Sequence, residues 1–171
     1  SLKPLGYNLL FWGILIISMS LFQYFFSELV QFSYYSAAVY WISIPVIGMA
    51  YTTFYNIKTG IKMGYETQLG RVIKIIWAVF GLSWLSILAI TLIQGINNPV
   101  LDILFLLATV LIMTGLIIKF KNITIGGLFL LAFVVYNHVY PGLNFLLMNV
   151  YGIAFGMLLP GVSLYRFKET K

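Results

Sequence analysis

Apolar residues along this chain are gathered into long runs, which short polar segments separate. Six of these runs come close to or reach the length that a transmembrane helix needs, about 17 to 25 residues. They cover residues 6–26, 33–56, 72–94, 100–118, 123–138 and 142–165, and the fifth is the shortest. Backbone groups in hydrocarbon have no water to bond, and the runs are continuous rather than alternating, so we predict six transmembrane α-helices.

Positively charged residues fall at only one end of each predicted helix. The connections near Glu28, Asn97 and Tyr140 carry no lysine or arginine, whereas the other connections and the two chain ends carry all ten. The ten are Lys3, Lys58, Lys62, Arg71, Lys74, Lys119, Lys121, Arg166, Lys168 and Lys171. Because basic loops are retained in the cytoplasm, the pattern predicts an all-α polytopic bundle with both termini on the cytoplasmic side.

Composition agrees with a chain surrounded mostly by lipid. Of its 171 residues, 61% are hydrophobic and 8% are charged, and the mean hydropathy is +0.99. Soluble domains are about a quarter charged. The net charge of +6 is explained by the sorted basic loops, so no nucleic-acid partner is predicted. We expect a single transmembrane domain over residues 1–171.

Polar residues near the non-basic end form a candidate site. Asp102 and His138 are the one acidic residue and the one histidine inside the predicted spans, and Asn137, Asn144 and Asn149 fall near them. Asp102 could bind a cation or proton, but a carboxylate in the opening turns of a helix also stabilises the positive helix end. His138 could titrate near neutral pH, although an interfacial histidine bonded to a neighbouring group is the simpler interpretation.

The residues give little support to catalysis. Ser163 follows a short glycine-containing turn, but its predicted position is separated from His138 by a hydrocarbon core of about 30 Å. The motif H-E-x-x-H is absent, and the lack of cysteine excludes thiolate metal sites and cysteine nucleophiles. We therefore predict a protein that is not an enzyme and that holds no cofactor or metal.

Small residues and prolines mark where helices approach or bend. Gly152 and Gly156 form a G-x-x-x-G step that Pro160 and Gly161 extend by one turn. Such a step suits a dimer interface or packing against a neighbouring span of the same chain, and we favour packing within the chain. Pro45 lies inside the second span and predicts a kink there.

Several short motifs carry a resemblance. They are Phe11-Trp12-Gly13, Ile44-Pro45-Val46-Ile47-Gly48, Arg71 through Trp77 to Phe80-Gly81, Thr114-Gly115, Lys119-Phe120-Lys121, Gly126-Gly127 and Leu159-Pro160-Gly161. In these residues the chain resembles an uncharacterised family of small six-span bacterial inner-membrane proteins. The resemblance covers most of the chain and implies an inner-membrane location. Similar proteins carry an extra polar N-terminal segment, which is missing or trimmed in this sequence. It implies no activity and no site residues.

Two classes of function remain after these exclusions. The first is a non-enzymatic accessory, regulatory or assembly subunit that acts in the lipid bilayer through helix packing with a membrane protein or a second copy. The alternative is a small transporter or channel whose entrance is the polar cluster around Asp102 and His138. Binding of a lipid or quinone-like ligand among the aromatic residues stays open as a third hypothesis.

Overall fold

In the residues that the structure describes, all regular secondary structure is helical. This computed structural model describes residues 3–33, 35–63, 68–94 and 99–166. The helices are α1 Lys3–Phe25, α2 Ser27–Val30, α3 Ser36–Met63, α4 Gln68–Gln94, α5 Val100–Ile118, α6 Lys121–Val139, α7 Phe145–Ile153 and α8 Leu159–Arg166. A π-helical turn, Ala154–Leu158, joins α7 to α8. We call the continuous stretch Phe145–Arg166 the sixth span.

Six of these helical stretches are long and apolar enough to cross a membrane. They are Pro4–Phe25, Ser36–Thr59, Gln68–Gln94, Val100–Ile118, Lys121–Val139 and Phe145–Arg166. The prediction of an all-helical chain with six candidate spans is therefore confirmed by length and composition. The chain ends beyond Arg166, with Lys168 and Lys171, and the connection around Asn97 lie outside the described residues.

Some helix ends differ from the predicted ones for local reasons. The second span begins at Ser36 rather than at residue 33, because the Ser36 hydroxyl bonds both the backbone N–H and the carbonyl of Ser33 in a turn. The sixth begins at Phe145 rather than at residue 142. Gly142 has a φ of +154°, and the Asn144 side chain caps the helix by accepting from the Leu146 N–H at 2.9 Å.

The connection between the second and third spans is also shorter than the apolar pattern predicts. That pattern ends at residue 56 and resumes at residue 72, but α3 continues to Met63 and α4 already begins at Gln68. Polar residues such as Lys58 and Arg71 therefore lie on helices. Hydropathy marks the part of a helix in hydrocarbon, whereas backbone hydrogen bonding carries the helix onward into the interface.

Four spans form a close-packed core, and two lie outside it. The buried share of the most apolar 18 residues is 28–44% for α1, α5, α6 and the sixth span, but 17% for α3 and 6% for α4. The core is apolar, with side chains such as Leu104, Leu111 and Leu130 fully enclosed. Neighbouring α1, α5 and α6 surround the sixth span, while α3 packs on α1 and α4 packs on α5.

Polar side chains hold α3 on α1 near both of its ends. Near one end, the Trp41 indole N–H donates to Gln23 Oε1 at 2.6 Å, and near the other, Asn8 Nδ2 donates to Asn56 Oδ1 at 2.9 Å. Between them, Gly48 lets the Trp12 ring reach the α3 backbone. Interhelical hydrogen bonds of this kind contribute about 0.6 kcal/mol each in membranes, so these two together add only about 1 kcal/mol to the packing of α3 on α1.

The helix ends define a basic end and a non-basic end of the bundle. Gly6 of α1 lies against Tyr165 of α8, and Gly115 of α5 lies against Thr124 of α6. These contacts bring Lys119, Lys121 and Arg166 to the same end. We call it the basic end.

The turn between α5 and α6 is tight and slightly strained. Lys119 has a φ of 58°, and the Phe120 N–H donates to Gly115 O at 2.9 Å, as in a Schellman ending. A left-handed backbone conformation costs an L-residue about 1 to 2 kcal/mol.

Replacing Lys119 with glycine should relieve this turn. We expect Lys119→Gly to raise the free energy of unfolding by about 0.5 to 1 kcal/mol, part of the gain being offset by the greater entropy of glycine in the unfolded chain. Detergent-solubilised protein would be unfolded thermally and followed by circular dichroism. Lys119→Ala removes the same charge but keeps the Cβ atom, so an equal gain in that control would contradict the explanation.

Candidate functional site

The sixth span contains a change of helical register in its middle. The Leu159 N–H donates to Ala154 O, five residues back, instead of to Phe155 O. Pro160, which follows, has no N–H to offer to the preceding turn. The π turn thus carries the helix past an internal proline without a chain break. Turns of this type occur often at functional sites.

Helix α6 approaches this turn very closely. A Cβ atom at Gly126 would lie 2.6 Å from Pro160 Cγ and 3.2 Å from Phe155 O. The first distance is shorter than real Cβ contacts and the second is tighter than most of them, so any other residue here would push the proline ring or the helix away. The Gly126 Cα therefore covers the part of the sixth span where the regular hydrogen-bond ladder is interrupted.

A groove runs along the outside of this helix pair. It has a volume of about 610 Å³ and lies between α6 and the sixth span. Gly126 and Gly152 line the groove with their backbone, and the exposed rings of Phe129 and Phe155 also line it. The lining is almost wholly apolar, which indicates a hydrocarbon occupant rather than a polar solute.

The polar rim of the groove lies at the basic end. There, Asn122 Nδ2 donates to Ser163 Oγ, joining the start of α6 to the end of α8. Lys121 precedes Asn122, Arg166 lies about one turn beyond Ser163, and both basic side chains are exposed. The acidic residues in the described part of the chain, Glu28 and Asp102, belong to the opposite end.

The predicted polar cluster lies at the non-basic end but is not joined by hydrogen bonds. No such bond connects any two of its five members, all of which are described. Asn137 is buried and donates to its own helix at Phe133 O, 2.8 Å away, while Asn144 serves as the cap of α7. His138 is exposed in the last turn of α6, and Asn149 is half-buried on α7.

Asp102 is exposed in the first turn of α5. Its carboxylate therefore lies at the positive end of that helix, as the simpler sequence interpretation has it. The helix then continues into the core through Leu104, Leu107 and Leu111, all buried. Within the described residues, no three His, Cys, Asp or Glu side chains gather in a group that could hold a metal ion.

The glycines of the predicted packing step meet helices of the same chain. Cβ atoms at Gly152 and Gly156 would lie 3.0 Å and 3.1 Å from methyl groups of Leu130, and one at Gly161 would lie 3.1 Å from Leu9 Cβ. All three glycines are buried, as is Pro160. The G-x-x-x-G face is thus occupied within the chain.

Pro45 is buried on the side of α3 that faces α1, and α3 continues through it as one helix. The kink predicted at Pro45 would therefore be a bend within one continuous helix and not a break between two helices. It stays a prediction.

The groove was not foreseen from the sequence. Its signals were present as Gly126-Gly127 in one apolar run and Pro160 in another, but nothing in linear spacing shows that the two runs meet. The bond between Asn122 and Ser163 was missed for the same reason, since 41 residues separate the partners.

Comparison with known proteins leaves the function to be argued from geometry. No protein-family model, curated protein or solved structure matches the chain. The resemblance to small bacterial inner-membrane proteins therefore stays a prediction from short motifs.

Proposed function

We propose that this protein is a non-enzymatic accessory or assembly subunit, which binds a membrane-protein partner through the exposed faces of α3 and α4. The observation that carries the proposal is the uneven burial of the six spans. The α4 span is 6% buried and the α3 span 17%, against 28% or more for the other four. Two helices thus offer nearly their whole length to other molecules in the membrane.

Helix association in lipid depends on close van der Waals contact rather than on the hydrophobic effect. One face of α4 packs inward with Trp84, but Ile75, Leu82 and Ile93 line the opposite face and are exposed. On α3, Ile47 and Phe54 are exposed in the same way. Helices α3 and α4 can therefore each accept further helices without rearranging the core of four spans.

The filling of the core supports an accessory role over transport. A transporter with its entrance at Asp102 would need polar groups below that residue, along α5 and its neighbours. The buried side chains along α5 are leucine, alanine and valine as far as Thr114, whose hydroxyl is enclosed without a hydrogen-bond partner. Between Asp102 and Thr114, the buried side chains of α5 offer a polar solute no hydrogen-bonding group.

Site-specific photo-crosslinking in native membranes would test the proposal. With benzoylphenylalanine at Leu82 on the outward face of α4, we expect one discrete protein adduct, because that side chain would lie in the partner interface. Leu116 on α5 serves as the control, since it is exposed to a similar extent, 64% against 68%. Adducts of equal yield from both positions, or lipid adducts alone at Leu82, would refute the proposed interface. An adduct of twice the chain mass would identify the partner as a second copy.

We further propose that the basic end of the bundle faces the cytoplasm of a bacterial inner membrane. The charge partition supports this orientation, since lysine and arginine near span ends are retained on the cytoplasmic side. Six spans then place both chain ends in the cytoplasm.

Cysteine labelling can measure this orientation directly, because the chain has no cysteine of its own. In intact cells, a membrane-impermeant maleimide should label Ser27→Cys and Tyr140→Cys at the non-basic end. It should label Gln68→Cys only after the membrane is opened. All three positions are exposed, so differences in reactivity would report sidedness. Labelling of Gln68→Cys in intact cells would reverse the orientation.

A further inference from the structure

We propose that the groove between α6 and the sixth span binds an anionic phospholipid. One acyl chain would lie along the groove against Phe129 and Phe155, and the phosphate would lie at the basic end beside Lys121 and Arg166. This site lies on other helices than α3 and α4, so it does not depend on the partner proposed above.

The length of the groove matches one leaflet of a bilayer. Its lining extends from Asn122 to Phe133 on α6 and from Gly152 to Ser163 on the sixth span, a separation of 11 residue steps in each case. At about 1.5 Å per residue this is about 16 Å. Half of a hydrocarbon core of about 30 Å is about 15 Å. An acyl chain that enters from one membrane surface would therefore fill the groove to its end.

The shape of the groove suits a flexible hydrocarbon chain. Such a chain can lie along the groove between the exposed rings of Phe129 and Phe155, which both line it.

The charges at the rim select the headgroup. Lys121 and Arg166 are exposed and lie one and three residues along the chain from the lining residues Asn122 and Ser163. The described acidic residues belong to the other end of the bundle. The first turn of α6 adds the positive end of its helix dipole. No acidic side chain in that turn neutralises it. Basic sites between transmembrane helices bind anionic headgroups for this reason.

Native mass spectrometry in detergent would test the headgroup preference. The probes are dioleoyl phosphatidylglycerol and dioleoyl phosphatidylcholine, which share acyl chains and differ in charge. We expect the wild-type protein to retain the phosphatidylglycerol preferentially. The double variant Lys121→Gln/Arg166→Gln should reduce this preference by about thirtyfold, since each cation near the surface contributes about one factor of five.

A second double variant tests whether the loss of preference comes from charges near the groove or from the lower overall charge of the protein. Lys58→Gln/Arg71→Gln also removes one lysine and one arginine, both exposed but on α3 and α4, away from the groove. It should keep the wild-type preference. An equal loss in both double variants, or no loss in Lys121→Gln/Arg166→Gln, would overturn the headgroup assignment.

Filling the groove tests the acyl-chain part of the proposal. Ile125 lines the groove and Leu128 does not, although both are about half exposed on α6. We expect Ile125→Trp to reduce retention of both lipids at least fivefold, and Leu128→Trp to leave it unchanged. Equal retention in the two variants would overturn the proposal. So would loss of a dimer in Ile125→Trp, because the groove would then hold a second copy. Circular dichroism spectra would check that each variant is folded.

Discussion

Replacing Gly115 with alanine is expected to destabilise the protein by about 3 kcal/mol, at the upper end of the usual cost of overpacking. A Cβ atom there would lie 2.5 Å from Thr124 N and 2.9 Å from Thr124 Cα, and it would also collide with Thr124 Oγ1. The first two atoms belong to the backbone, which cannot rotate away as a side chain can. The α5–α6 hairpin would have to open, and it forms one side of the core.

Unfolding in dodecyl sulfate, followed by circular dichroism, would measure this loss. Gly81→Ala is the matched control, since the nearest atom to its added Cβ is Met49 Cε at 3.7 Å, an ordinary contact. Alanine is the better helix former by about 1 kcal/mol. The control should therefore be unchanged or slightly more stable than the wild type. If both variants unfold at the same detergent fraction, the close approach of α5 and α6 is wrong.

Truncating Leu111 to alanine should give the second large effect, a loss of about 2 kcal/mol. The side chain has no exposed surface and lies beside Gly156 of the sixth span. In water, a buried leucine-to-alanine change costs about 2 to 5 kcal/mol, which combines a transfer term and a cavity term. In lipid the transfer term is small, because lipid tails surround the leucine side chain when the helices are separated, and these tails are as apolar as the protein core. The cavity term should remain.

The substitution Leu116→Ala is the control for the cavity term. Leu116 lies on the same helix and is 64% exposed, whereas Leu111 is 0% exposed. We expect Leu116→Ala to change the free energy of unfolding by less than about 0.5 kcal/mol, as surface substitutions usually do. A loss at Leu116 as large as at Leu111 would mean that α5 is oriented differently in the bundle.

The candidate sites differ in how far spacing alone could predict them. Asp102 near the start of a helix could be placed from the chain pattern, because its position depends only on where the apolar run begins. Partners for Gly152 and Gly156 could not be placed, since a small-residue step fits a neighbouring span and a second molecule equally well. The structure puts Leu130 there. Spacing within one helix specifies a face but not what covers it.

Hydropathy alone determined that six helices can cross a membrane. The positions of lysine and arginine between the apolar runs determined that the described basic residues gather at one end. Both properties are local, because each helix satisfies its own backbone hydrogen bonds and each charge stays near water. Only the tertiary structure decided that four spans form the core, that α3 and α4 lie outside it, and that Gly126 meets Pro160 beside a groove. In lipid every apolar face is equally soluble, so the pattern of apolar residues cannot say which faces meet. Close fit between distant residues makes that choice.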